Sequence, residues 1–381
     1  MDQQLLFFFY RLIIDINNTI GINIFLLPFY LYHDKAQYHV FIFSLISVLF
    51  VILFITCDKI QKNIFDNEQK TNSYFYFLSD YFYYIELLCF ININIFYINK
   101  IINLYNNLTL FYNAIAITIL LFLFILIKRN TSNINKFIIA IKSIVFIPLI
   151  YLFNKIPNYD IAKTISHFQP NTICELIPIF FFSFLGNNEV FHIATQESPE
   201  EKSNNDKNKI NNIKIITNFI VITFIYKLLY QKKGGVVLNN ILLLNTTLSE
   251  IVLKQNKHNN IIHILNILII LLSFLNIHNI TLKCQKTINK IIQKTNPDKP
   301  LPENIILFFV LFSIIMGSKM IMSQEKNIML AVFFSTLSFF NYIIHYFKCI
   351  VFNLNTLLII ISLLFIIIIN IISSYQLIYL I

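Results

Sequence analysis

The sequence predicts an all-α, polytopic bundle embedded in a membrane, and three observations predict it. The 381 residues are 57% hydrophobic and only 13% charged, about half the charge of an ordinary soluble chain. Apolar runs of about 18 or more residues recur along it, long enough to cross a bilayer as helices. Runs such as "NTLLIIISLLFIIIINII" (355–372) do not alternate apolar with polar residues, as strands of a membrane barrel would. In lipid each backbone polar group needs a partner within the chain, so these runs are read as helices.

Taken in order, the spans fall at 5–14 continuing to 32, 38–57, 73–98, 109–127, 136–154, 172–186, 212–230, 236–253, 260–280, 304–323, 327–348 and 355–381. That makes about ten to twelve transmembrane helices. Most connections are short. The first long one, 187–212, includes "TQESPEEKSNNDKNK" and is read as a solvent-exposed insertion. The second, 283–303, includes "KTNPDKPLPEN", stiffened by three prolines. No stretch could fold as a separate soluble domain, so residues 1–381 form a single integral membrane domain. Lys and Arg occur on most connections without clean alternation, so they set no orientation.

Composition carries a second message. Phe, Tyr, Ile, Asn and Lys dominate, while Gly (5), Pro (9) and Trp (0) are scarce and Arg occurs only as Arg11 and Arg129. The abundant residues have AT-rich codons, which points to an AT-biased genome. An Asn inside a span is therefore weak evidence of function here. The N-terminus has neither a signal-peptide pattern nor an Arg- and Ser-rich transit pattern, and with the AT bias this favours a protein made inside an organelle. The net charge of +10 is scattered over short connections, as expected of lysines that snorkel to the membrane surface and not of a nucleic-acid face. Cys57, Cys89, Cys174, Cys284 and Cys349 show no metal-ligand or disulfide spacing. His263, His278 and His345 lie on apolar faces without ligand spacing.

Ionisable residues inside spans are expensive and so are candidates for function. Glu86 lies mid-span in "SDYFYYIELLCFININIFYI" (79–98), with no basic neighbour in sequence. Such a carboxylate must be protonated or must face a cation or water on another helix. Lys142 lies seven residues into "FIIAIKSIVFIPLIYLF", and Lys227 near the end of another span. Glu175 is near a span start, and Glu250 and Lys254 are spaced to pair on one helix. No P-loop, GxGxxG, GxSxG or HExxH occurs. Buried Glu and Lys on several helices, without a catalytic motif, fit proton or ion movement better than bond-making, and no cofactor or metal site is expected.

From about Ser79 to Asn353 the chain resembles the chain 2 family of mitochondrial NADH–ubiquinone oxidoreductase (respiratory complex I), an antiporter-like membrane subunit. The residues that carry the resemblance include Ser79-Asp80 followed by Ile85-Glu86-Leu87, then Pro148, Pro157 and Tyr159. They continue with Gln231 and the adjacent Lys232 and Lys233, "KTNP" (294–297), and "LFS" (311–313) with Lys326 fifteen positions after Leu311. The resemblance implies inverted repeats with broken helices, a place in the mitochondrial inner membrane, and a part in proton translocation coupled to electron transfer from NADH to ubiquinone. It implies a proton path through Glu86, Lys232 or Lys233, and Lys326, with Lys142 or Lys227 as substitutes for a missing lysine. The implied partners are other membrane-arm subunits and lipids such as cardiolipin, with no nucleic acid. The chain carries no catalytic redox site of its own under this reading.

Two departures bear on pumping. Ile179 follows Pro178 where the family has a lysine, and Gly317 is the sole remnant of a Gly-Ile-Pro-Pro break. Two other readings stand beside the pump: a non-pumping structural subunit of a respiratory complex, and a lipid-linked glycosyltransferase whose acidic residues would come from loop 187–212. The stretch "IIMGSKMIMSQEKNIML" (314–330) reads as a polar break within a helix. Lys326 is then the relay group, Lys319 a snorkelling neighbour and Glu325 its counter-charge.

Overall fold

The computed structural model describes residues 36–66, 74–103, 110–127, 177–182, 184–185, 260–295, 302–320, 324–347 and 354–380, with isolated positions at 144 and 220. Among the described residues the chain is helical throughout, without a strand. Seven long helices are seen: α1 (Ala36–Asp66), α2 (Tyr74–Asn103), α3 (Leu110–Ile127), α4 (Asn260–Thr295), α5 (Glu303–Met320), α6 (Gln324–Phe347) and α7 (Leu354–Leu380). Four of them contain segments long and apolar enough to cross a membrane: Phe77–Asn103, Asn266–Gln293, Lys326–Ile344 and Thr356–Ile378. The all-α membrane bundle is therefore what the sequence expects. The spans expected at 5–32, 136–154, 212–230 and 236–253, and loop 187–212, lie outside the described residues.

The hub is α2. Three quarters of its apolar segment is buried, against one third for α7. It packs along α6 and α4 and also meets α3 and α5. Two apolar cores flank it. In one, α1, α2, α4, α6 and α7 enclose residues such as Phe50, Phe54, Phe90, Val332 and Phe365. In the other, Leu87, Ile91 and Ile95 of α2 pack with Ala114 and Leu121 of α3, Cys284 of α4 and Val310 and Ile314 of α5.

Chain directions follow from paired contacts. Ser79 meets Ser338 and Phe82 stacks on Phe334, so α2 and α6 run antiparallel. Tyr84 meets Ser313 and Asn92 lies against Gly317, so α5 runs parallel to α2. Phe50 meets Phe365 and Thr56 meets Ser362, so α1 and α7 are antiparallel. A consequence concerns residues 314–330. The polar break expected inside one helix is instead a reversal between two: α5 ends at Met320 and α6 starts at Gln324, running the opposite way. The physical reason is packing, because α5 is shared among α3, α4 and α2 while α6 lies against α2 and α7.

A second correction concerns α4. The sequence reading ends this span at 280 and makes 283–303 a connection, but the helix runs on to Thr295. Cys284 is fully buried in the second core and Ile288 packs against it, so apolar residues keep helical spacing beyond 280. Pro302 then opens α5 by accepting from the amides of Ile305 and Ile306 at 3.0 and 3.3 Å.

Where α7 faces outward it presents Leu357, Ile360, Leu364, Ile367, Ile371, Tyr375 and Ile378, recurring every three or four residues, one face of a helix. Its inner face is held by polar side chains. Asn370 Nδ2 donates to Thr336 Oγ1 at 2.8 Å, and Ser362 Oγ donates to Thr56 Oγ1 at 3.1 Å. Between membrane helices such bonds contribute about 1 kcal/mol each, because apolar packing against lipid gives little preference. We predict that Asn370→Leu lowers stability by about 1 kcal/mol in detergent unfolding, and that adding Thr336→Val costs little more. Ile371→Ala, on the outward face, should change stability far less.

Candidate functional site

The polar features of α2 define the site. Asp80 and Glu86 are each 1% exposed and lie within the apolar segment Phe77–Asn103. Asp80 Oδ1 is met by Lys290 Nζ of α4 at 3.2 Å, and Lys290 is 21% exposed. The lysine reaches Asp80 only because α4 continues past 280. This charged pair ties the two helices where the apolar segment of α2 begins and Lys290 retains access to the surface.

Glu86 lies on a different side of α2. Seven residues separate Ser79 from Glu86, which in an α-helix returns to nearly the same face. Ser79 is bonded to α6: each of Ser79 and Ser338 donates its hydroxyl to the other's carbonyl, both at 2.9 Å. Glu86 therefore belongs to the seam between α2 and α6. The register set by Ser79–Ser338 and Phe82–Phe334 brings Lys326 level with residues 90–91 of α2. Along the axis that is about 6–8 Å from Glu86. On α6 the residues spaced to face α2 are Asn327, Ala331, Phe334 and Ser338. Asn327 is fully buried; Lys326 is half-buried, about 100° round from it.

Next to this seam an aromatic cluster fills the interior. Phe180, Phe181, Phe182 and Phe184 come from the short stretch 177–185 and are all buried. Phe182 stacks on Phe90 of α2 with centroids 5.2 Å apart. Phe180 meets Phe43 edge-on at 5.3 Å, and Phe181 meets Phe50 at 4.5 Å and Phe365 at 5.8 Å. Ile179, standing where a lysine was expected from the resemblance, is 8% exposed within the same apolar cluster.

The other polar seams are smaller. Asn113 Nδ2 donates to Asn99 Oδ1, joining α3 to α2. Gly317 is the close approach between α5 and α2: a Cβ there would stand 2.8 Å from Asn92 Nδ2. His278, fully buried, packs edge-on against Phe124 with ring centroids 4.9 Å apart, and His263 is exposed.

Of the residues expected in a proton path, the structure places Glu86 and Lys326 near the same seam. Lys142, Lys227, Lys232 and Lys233 lie outside the described residues, as do Glu175, Glu250 and Lys254 and the side chains of Lys319, Glu325 and His345. Sequence reasoning missed Lys290, because it assigned that residue to a connection. The signal was present: Ile277, Cys284, Ile288 and Ile291 carry the apolar period onward past the expected end. Among the described residues no three His, Cys, Asp or Glu side chains form a group able to hold a metal ion.

Comparison of the chain with protein-family models gives no match, and no curated protein is significantly similar to it.

The pair Asp80–Lys290 gives a direct prediction. Removing one partner of a largely buried ion pair strands the other's charge, at a cost of about 3–5 kcal/mol. Lys290→Met alone should therefore reduce stability by about that amount. The double variant Lys290→Met with Asp80→Asn should recover most of the loss, as read from unfolding in detergent and from the amount of protein in the membrane.

Proposed function

We propose that this chain is a membrane subunit of a proton-translocating NADH–ubiquinone oxidoreductase of the mitochondrial inner membrane, and that its α2–α6 seam carries protons. The observation that carries the reading is Glu86, a carboxyl 1% exposed in the middle of an apolar membrane-spanning segment. Such a group is costly in lipid and is retained where charge must move. The sequence resemblance supports it, since Glu86 occupies the place of that family's mid-span glutamate. Lys326 supports it too, because the register brings it about 6–8 Å along the axis from Glu86. In a low-dielectric interior, adding a proton to one such group changes the proton affinity of the next. That gives a relay its direction when another part of the complex supplies the driving signal. The chain itself contributes groups that hold and pass protons, and electron transfer belongs to other subunits. The neighbours it would need are membrane-arm subunits and lipids such as cardiolipin against the apolar outer faces.

A second reading has an observation of its own. Ile179 is 8% exposed within the first apolar core, so an apolar residue is buried where the family has a lysine. That favours a subunit which holds its neighbours together and pumps nothing. One experiment separates the two. In native membranes, Glu86→Gln and Lys326→Met should each lower the protons translocated per NADH oxidised by at least half. Unchanged translocation, with the complex fully assembled, leaves the structural reading. Failure of the chain to copurify with NADH dehydrogenase activity overturns both.

A further inference from the structure

Asp80, Tyr83 and Glu86 are spaced three residues apart on α2. Three residues advance about 4.5 Å along a helix and turn about 300°, so each step moves about 60° back round the surface. The three residues therefore form one continuous stripe. It starts at Asp80, on the side facing α4, and ends at Glu86, on the side facing α6. Tyr83 stands midway in height and in angle. It is 2% exposed and belongs to the second apolar core. Tyr84, next in sequence, turns to α5 and donates to Ser313 at 3.4 Å, so neighbouring tyrosines serve different faces.

Continuing the stripe one more step reaches Cys89, 6% exposed, beside Phe90 and its stacked partner Phe182. Past Glu86, then, this stripe on α2 meets thiol and aromatic carbon. At its other end Lys290, 21% exposed, meets Asp80. The stripe is charged at the Lys290 end and reaches a buried, uncharged thiol at the Cys89 end.

We infer that Tyr83 passes protons between the Asp80–Lys290 pair and Glu86, making α2 an access half-path that opens on the Lys290 side of the membrane. This inference rests on the proton-translocating reading proposed above and adds to it a residue and a direction of access. The step balances without any further reactant. A proton held by the Asp80–Lys290 pair bonds to the Tyr83 oxygen as the O–H proton of Tyr83 passes to the Glu86 carboxylate. The pair loses one proton, Glu86 gains one, and the tyrosine hydroxyl is regenerated. A phenol suits this place because its oxygen both donates and accepts while its ring contributes to the apolar core.

The test is Tyr83→Phe in the full complex in native membrane vesicles, with Glu86→Gln and Tyr84→Phe measured beside it. Protons translocated per NADH oxidised should fall by at least half in Tyr83→Phe and Glu86→Gln and stay unchanged in Tyr84→Phe. A fall in Glu86→Gln with full translocation in Tyr83→Phe overturns the relay and leaves the proposed function standing. Full translocation in Glu86→Gln overturns the proposed proton path and the relay with it. Where Tyr83→Phe lowers the amount of assembled complex, the double variant Asp80→Asn with Lys290→Met breaks the same stripe one step earlier without stranding a charge; full translocation per complex there also overturns the relay. A second readout is independent of pumping. In the full chain in lipid vesicles, the carboxyl stretching band assigned by its loss in Glu86→Gln should exchange with deuterium more slowly in Tyr83→Phe than in the parent. Equal exchange rates overturn the inference.

Discussion

A charge placed within an apolar span has to be answered by another helix, and that requirement organises this bundle. Asp80 is 1% exposed and finds its answering charge on Lys290 of α4. An isolated carboxylate in an apolar medium would be far costlier than the unfolding free energy of a typical domain. The pair thus fixes both the register of α2 against α4 and the length of α4, which must extend far enough to deliver the lysine. Once α2 is pinned in this way, its remaining faces are assigned. Ser79, Phe82 and Glu86 fall to α6, and Tyr84 and Asn92 to α5. The central place of α2 is a consequence of its polar residues pointing in several directions, since no single partner could satisfy them all.

The outer helices obey the same rule with smaller terms. Lipid tails are as apolar as Ile or Leu, so apolar contact alone does not choose which face of α7 turns inward. Ser362 and Asn370 make that choice through Thr56 and Thr336, and the row from Leu357 to Ile378 is left to the outside. On α6 the choice is made by Ser338, and on α3 by Asn113, bonded to Asn99. The aromatic stretch 180–184 works differently. It inserts rings between α1, α2 and α7, and excludes water from the interior beside Phe90. Polar clamps select faces, and the aromatic cluster fills what the clamped helices leave between them.

Much of this fold was legible in the sequence because hydrophobic length is a one-dimensional signal. The spans expected at 109–127 and 355–381 agree with Leu110–Ile127 and Leu354–Leu380 to within a residue. Glu86 was legible for the same reason, as a charge inside an apolar run. Lys290 was not, because it sits among Asn, Gln and Lys residues that an AT-rich coding bias scatters everywhere. The apolar period that continues there through Cys284, Ile288 and Ile291 is interrupted by those polar residues and is hard to tell from a connection. Residues 314–330 were misread for a related reason. A short polar stretch between two apolar runs looks the same whether the chain bends within one helix or reverses between two. The difference lies in which neighbours α5 and α6 pack against, and a linear pattern does not carry that information.

The contrast between the two ends of the stripe on α2 limits what this bundle can do with Glu86. A through-path along one helix would need groups that exchange protons on both sides of the carboxyl. Toward Asp80 the next such group on the stripe is a phenol, three residues away. Toward Cys89 the stripe continues as a buried thiol beside Phe90 and Phe182, stacked 5.2 Å apart, and then as Asn92, whose amide does not titrate. Under the proposed proton-carrying role, onward movement from Glu86 crosses from α2 to α6, where Asn327 is buried on the facing side and Lys326 stands level with residues 90–91. A path that enters along one helix and leaves by another can be opened or closed by a small shift between the two. Such a gate would act at the seam held by the reciprocal serine bonds of Ser79 and Ser338, and it would not require breaking a helix.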